Sequence, residues 1–226
     1  MSPQRKRTRK PRIDGVEARA RILDSAEQLF AERGFYGTSV RDITEHAGER
    51  LASVNYHFVS KESLFRDVLL RRAEALARDR FALLAQGECK GSVRARTRQL
   101  VHAFVTPVAL RAAESQGWRN YLTLIAQVAN SRIEALELVA AAFNKLALRF
   151  IKQLAGIFPG ASSRALHHSY QSMLAATLYA FSSNRRLESL TRGALRSDDF
   201  ELIAEDLIAF LTPAIVEACG KGRAQV

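Results

Sequence analysis

The chain has 226 residues, 47% of them hydrophobic and 25% charged, a globular balance that excludes a disordered or membrane-embedded chain. That length fits one or two domains at about 150 residues each. Twelve glycines and five prolines are few for a loop-rich all-β fold, and the formal charge of +11 favours a polyanionic partner without identifying one.

The charge is unevenly placed. Residues 1–12 carry Arg5, Lys6, Arg7, Arg9, Lys10 and Arg12 with no acid, whereas residues 13–60 hold five arginines against eight acids. Residues 1–13 read as a basic arm without periodicity. Such a run is either a solvated tail or a tether that reaches phosphates or a minor groove. Cys89 and Cys219 stand far apart with no C-x-x-C spacing, which fits a reducing compartment and small apolar roles. No apolar run approaches the roughly 18–20 residues that cross a bilayer, and the basic N-terminus lacks the apolar stretch of a signal peptide. A cytoplasmic, all-α protein is expected.

Helical periodicity begins at Val16, where Ile22, Ala26, Leu29 and Phe30 fall on one face; Gly34 is placed to end this helix. A second, short helix starts at Thr38-Ser39, whose hydroxyls can cap free N–H groups, and Asp42 adds a favourable first-turn charge. Ala47-Gly48-Glu49 breaks it, and a third helix runs from about Leu51 to Phe58. Ser60-Lys61-Glu62 opens a fourth that meets no glycine or proline before Gln86. Further helices are expected at about 92–106, 118–130, 132–156, 162–183 and 198–219, with Pro107 and Gly117 as separators and Pro213 kinking or ending the last.

Two short helices around a glycine turn, following a longer one, have the helix-turn-helix layout. Val40, Ile43, Ala47, Val54 and Phe58 can pin both short helices on Ile22, Ala26 and Phe30. Arg50, Ser53, Asn55, Tyr56 and His57 are then left as an outward set of hydrogen-bonding groups, suited to a groove lined by donors, acceptors and phosphates. By spacing alone, a three-helix cap with a merely solvated polar face stays open.

The wording of the sequence adds to this pattern. Residues 21–35 (RILDSAEQLFAERGF), Thr38 to Ile43, Ala47-Gly48, and Val54 to Phe58 followed by Ser60-Lys61-Glu62 together resemble the N-terminal domain of the TetR family, over residues 16 to about 70. The resemblance implies a homodimer, each subunit placing its third helix in the major groove of half of a near-palindromic operator. It implies phosphate or base contacts for Thr38, Ser39, Tyr56, His57 and Lys61, and sequence-reading contacts for Arg41, Arg50, Ser53 and Asn55. The chain departs from the family at Glu49, where an apolar residue is usual, and at Val59, where glycine is common. A carboxylate there would repel phosphates unless it faces away.

The remaining helices are read as an effector-binding and dimerisation body. The expected division is an arm at 1–13, a helix-turn-helix domain at 14–60 and a helical domain at 61–226. Stripes at helical spacing offer Tyr170, Met173, Leu174, Thr177, Phe181, Leu207 and Leu211 as a subunit interface or as core of their own domain. Phe81, Phe104, Trp118, Tyr121, Phe143 and Phe150 are candidates to line an effector pocket or to be plain core. Trp118 and Tyr121 also bring polar tips that can orient a ligand. The wording from Val54 to Phe58 is similar to fatty-acid-responsive members of the family, which implies an apolar, acyl-like effector. His102 with His167-His168 is not a metal-site pattern, because adjacent helical histidines diverge. No catalytic constellation or phosphate loop is recognisable, so neither enzymatic activity nor a cofactor is expected. The function expected is a DNA-binding repressor released by a small apolar effector. A helical carrier or enzyme, or a non-specific DNA-binding protein driven by the arm, are the alternatives.

Overall fold

The computed structural model describes residues 13–86, 91–131 and 137–220. The basic segment 1–12 and Cys89 lie outside the described residues. Ten helices follow one another without a strand among the described residues: α1 (Ile13–Arg33), α2 (Val40–Ala47), α3 (Leu51–His57), α4 (Lys61–Gln86), α5 (Val93–Glu114), α6 (Gln116–Ala129), α7 (Glu137–Ile157), α8 (Ser163–Ala180), α9 (Arg186–Thr191) and α10 (Phe200–Gly220).

Several starts are set by local chemistry. Ser39, Ser92, Ser115 and Ser162 stand in the N-cap positions of α2, α5, α6 and α8, and each hydroxyl accepts a backbone N–H of the first turn, satisfying one of the donors a helix leaves free. At α2 the cap is reciprocal, since Asp42 accepts the Ser39 N–H at 2.8 Å. Gly48 then ends α2 at φ 65°, its N–H turning back to the Thr44 and Glu45 carbonyls. A Cβ opposes that left-handed conformation.

The small N-terminal core forms as the spacing predicts. Ile22, Ala26, Phe30, Ile43, Val54 and Phe58 are buried, and Val40 and Ala47 pack at its edge. Phe65 from α4 closes it, meeting Phe30 edge-on at 5.0 Å and Phe35 at 4.8 Å.

In the body, α5 is the central helix and packs most extensively on α10. One proline expectation is corrected and another narrowed. Pro107 is buried inside α5, which runs on to Glu114, and Pro213 lies inside α10, which runs on to Gly220. Each costs one helical hydrogen bond. Burial of Thr97, Leu100, Val101, Phe104, Val108 and Ala112 along α5 outweighs that loss. Gly117 does not separate helices either; it occupies the first turn of α6, behind the Ser115 cap. No described helix is long and apolar enough to cross a membrane.

Candidate functional site

The exposed face of α3 is built from both sides. Underneath, Val54 and Phe58 anchor it in the core. On the outside Arg50, Asn55 and Tyr56 are exposed, Tyr56 to 84%. Ser53 and His57 are half-buried at the margins. Leu51 and Ala52 share the exposed face, an apolar component that counting polar residues passed over. Arg41 on α2 is exposed as well and pairs with Glu45 one turn on, at 2.9 Å.

Three expected contact residues already make bonds within the domain, Ser39 while remaining exposed. Thr38 is 1% exposed, and its hydroxyl proton is shared between the carbonyls of Leu29 at 3.1 Å and Gly34 at 2.9 Å. Lys61 donates from Nζ to the carbonyls of Phe35 at 2.9 Å and Thr38 at 3.1 Å, while lying 4.2 Å from the centre of the Phe35 ring. The ammonium therefore clamps the α1–α2 connection rather than standing free beside a groove. Ser39 is spent on its capping box with Asp42, whose carboxyl the Ser39 hydroxyl and N–H hold below its ordinary value.

Glu49 turns inward to α1. Its Oε1 accepts from Arg21 at 2.6 Å and 3.1 Å, and this bond, ahead of all other causes, lowers the carboxyl's pKa. The charge that would repel phosphates is neutralised at the root of α3. Arg21 is also 3.9 Å from Glu17.

A network of buried charge ties this head to the body. Glu27 of α1 is 1% exposed. It accepts from Arg72 at 2.8 and 2.9 Å in a two-pronged pair, and from Arg71 at 3.1 Å. Arg71 also reaches Asp24 at 2.8 Å, and Arg19 of α1 reaches Asp67 of α4 at 2.7 Å. Trp118 of α6 lies between Arg72 and Arg111, 4.7 and 5.0 Å from its ring. Gly117 allows this contact, because a Cβ there would stand 2.5 Å from an Arg72 nitrogen and 3.2 Å from the Glu27 carboxylate. Gln127, farther along α6, donates to the Ala31 carbonyl of α1 at 3.0 Å.

The same two helices, α4 and α6, wall a partly open cavity of about 220 Å³ with α5, α7 and α8. Of the expected pocket residues, Tyr121 and Phe143 line it. Phe104 and Phe150 are fully buried core, edge-to-face at 5.0 Å. Phe81 stacks on Phe150 with the Arg149 guanidinium 3.5 Å from its ring centre, and Trp118 belongs to the charge network. The residues offered as a subunit interface or as core are placed within the protomer. Tyr170, Leu174 and Thr177 line this cavity, Met173, Phe181 and Leu211 are buried within the protomer, and Leu207 packs at the core's edge. The stripe faces inward.

Arg80 is the lining residue that sequence reasoning missed. It is 5% exposed; its Nε donates to the Phe104 carbonyl at 2.9 Å, and the guanidinium lies 3.8 Å from the Phe104 ring centre. Burial pushes its pKa down to about 10. The same burial pushes the Tyr121 and Tyr170 phenols up, and Arg80 partly opposes that. A signal was available, since Arg80 falls four residues after Leu76 on the buried stripe of α4. Among the described residues no cluster of His, Cys, Asp and Glu could hold a metal ion, and His102, His167 and His168 are exposed.

Comparison with known proteins agrees with both halves. The family described as bacterial regulatory proteins, tetR family, matches residues 22–68, and the one described as tetracyclin repressor-like, C-terminal domain, matches residues 102–214. The transcriptional repressor KstR2 of Rhodococcus jostii is 49% identical over 51 residues, which is 23% of this chain and 25% of that protein. The transcriptional regulator UidR of Escherichia coli is 38% identical over 63 residues, 27% of this chain and 32% of that protein. The matches therefore span a quarter to a third of these curated relatives. Among solved structures, KstR2 of Mycobacterium tuberculosis has a TM-score of 0.60 at 18% identity, covering 87% of this chain and 93% of that one. AibR, solved with isovaleryl coenzyme A and operator DNA, has a TM-score of 0.59 at 18% identity, covering 87% and 98%. At such identities the likeness is one of fold.

Proposed function

The chain belongs to the TetR family of bacterial regulatory proteins, and from that premise we propose that it is a dimeric, sequence-specific DNA-binding repressor released by a small, mainly apolar effector. The observation that carries the reading is the face of α3. Arg50, Asn55 and Tyr56 project from a short helix whose root is fixed by Val54, Phe58 and the Arg21–Glu49 pair. In a major groove Asn55 can pair with an adenine edge and Arg50 with guanine, each bidentate contact contributing about 1–3 kcal/mol of discrimination. Tyr56, Arg41, Ser53 and His57 flank them toward the backbone. Thr38, Ser39 and Lys61 act as positioning residues for this surface.

The division of labour follows the chain, with the arm at 1–13, the head at 14–60 and the body at 61–226, α4 joining the last two. The protein works in the cytoplasm on chromosomal DNA and binds rather than catalyses. Its subunits meet through the outward faces of α8 and α10, where Tyr179 and Phe210 are 60% and 70% exposed beside the small residues Ser172, Ala214 and Ala218. Two helices from each copy then form a four-helix bundle.

Control runs through α4 and α6. A ligand in the cavity bears on both, and both are tied to α1 by Glu27, Gln127 and Gly117. It shifts the spacing of the two α3 helices only by binding one spacing better, away from the roughly 34–36 Å that matches one DNA turn. The solved complex of AibR with an acyl coenzyme A and operator DNA supports a ligand-and-DNA division of this kind.

The test is selection of genomic fragments by the full-length protein, followed by affinity measurements across salt concentrations. One enriched near-palindromic motif is expected, bound with a steep salt dependence that becomes shallower when residues 1–12 are removed. Enrichment without sequence preference, or binding abolished by loss of the arm alone, would overturn the proposal.

A further inference from the structure

Resting on the reading of the α4–α8 cavity as the effector site, we propose that its ligand is an amphiphilic monocarboxylate, held by Arg80 through its carboxylate and by the apolar wall through its tail. Arg80 is buried at the cavity with no carboxylate partner among the described residues. Its neighbours are instead the Phe104 carbonyl and ring and the phenols of Tyr121 and Tyr170. Among the described residues only Nε, one of five donors on the guanidinium, has a protein acceptor. Arg71 and Arg72, earlier on the same helix, have Glu27 as their acid. A buried, uncompensated cation is costly. Here it keeps its proton at neutral pH even after burial lowers its pKa to about 10.

The rest of the wall states what the ligand's other end is. Leu76, Val108, Ile125, Phe143 and Leu174 are apolar, and Thr177 spends its proton on the Met173 carbonyl. The Tyr121 and Tyr170 hydroxyls, by contrast, donate to no protein acceptor among the described residues and stand ready as neutral donors beside the cation. A carboxylate needs this set: a forked cation and one or two hydroxyls. A phosphate or a sugar would need several more polar groups. Size agrees, because a cavity of 150 Å³ takes benzene, so about 220 Å³ takes roughly nine or ten non-hydrogen atoms, the size of an eight-carbon acid.

The test measures binding of hexanoate, octanoate, decanoate and 4-phenylbutanoate to the full-length protein by calorimetry, each beside its primary amide and, for octanoate, beside octanoyl coenzyme A. The expected result is binding of at least one acid, tenfold or more tighter than its amide, with the preference reduced to within twofold in Arg80→Met. Arg80→Lys should keep part of it, and Tyr121→Phe or Tyr170→Phe should each weaken the acid two- to fivefold. If Arg80→Met does not fold, the acid-to-amide ratio of the unaltered protein still decides. Equal binding of acid and amide, a preference that survives Arg80→Met, binding of the thioester without the free acid, or no binding across the series each overturns the proposal. Operator affinity measured in the same samples separates the two readings. An acid that binds at Arg80 without weakening the operator complex leaves the carboxylate site standing and removes its role as effector site. A protein that selects an operator and ignores all the acids leaves the repressor standing and removes the carboxylate.

Discussion

Two charges are buried where α4 meets its neighbours, and they are handled in opposite ways. Glu27 arrives from α1 and is met by two arginines, one of them in a two-pronged pair. Arg80, two turns farther along α4, is equally withdrawn from water and is met by a carbonyl, an aromatic face and two phenols. The first arrangement is complete and holds the head to the body. The second has no acid among the described residues, and it is the one that opens on a cavity. The contrast separates charge used for architecture from charge kept available, which depth of burial alone does not.

Glu27→Gln gives the largest expected effect. It leaves Arg71 and Arg72 facing each other without their common acid, and unfolding free energy in urea should fall by about 3–5 kcal/mol. A loss near zero would mean that the network is not what joins the two regions. Lys61→Met comes next. It strips two charge-assisted bonds from the α1–α2 connection, and a fall of about 1.5–3 kcal/mol in the same experiment is expected. Asn55→Ala sharpens the difference between the clamp and the face it supports. Operator affinity should drop by about 1–3 kcal/mol with the melting temperature unchanged, whereas Lys61→Met lowers both.

Arg80→Met should change stability by no more than about 1 kcal/mol despite its burial, since an apolar side chain of similar size replaces a cation without an ionic partner. A large loss would place Arg80 with Glu27 as architecture. The smallest effect concerns Glu49. Its pKa is depressed in the folded protein by the Arg21 bond. The stability this pair contributes is therefore present above the ordinary glutamate value of 4.5 and is lost as pH falls through the lower folded value. Unfolding curves of the unaltered protein and Glu49→Gln should differ above about pH 4.5 and converge below it.

The head was legible in the sequence because its determinants are local. The spacing of Ile22, Ala26 and Phe30, the capping pair Ser39 and Asp42, and the turn at Gly48 all lie within a few residues of what they control. Even Glu49 announced its difficulty, although its solution in Arg21 lies 28 residues away. The body was legible only as helices. The stripe through Tyr170, Met173 and Thr177 correctly marks a buried face, but periodicity carries no information about what covers it. Within the protomer it is covered by α10, α7 and α6, and part of it lines the cavity. Pro107 misled for a related reason: the penalty it imposes is local, and the packing that overrides it is not.

The sequence by itself determined the all-helical architecture, the helix-turn-helix and the polar set on α3, through propensity, capping and periodicity that act over one or two turns. Only the tertiary structure decided which of the expected contact residues remain free. It turned Thr38 and Lys61 inward as clamps, neutralised Glu49, and left Arg80 at the edge of a cavity without an acid among the described residues. The reason is electrostatic and geometric. A buried charge is defined by the partners that surround it, and those partners come from helices that the chain order keeps apart.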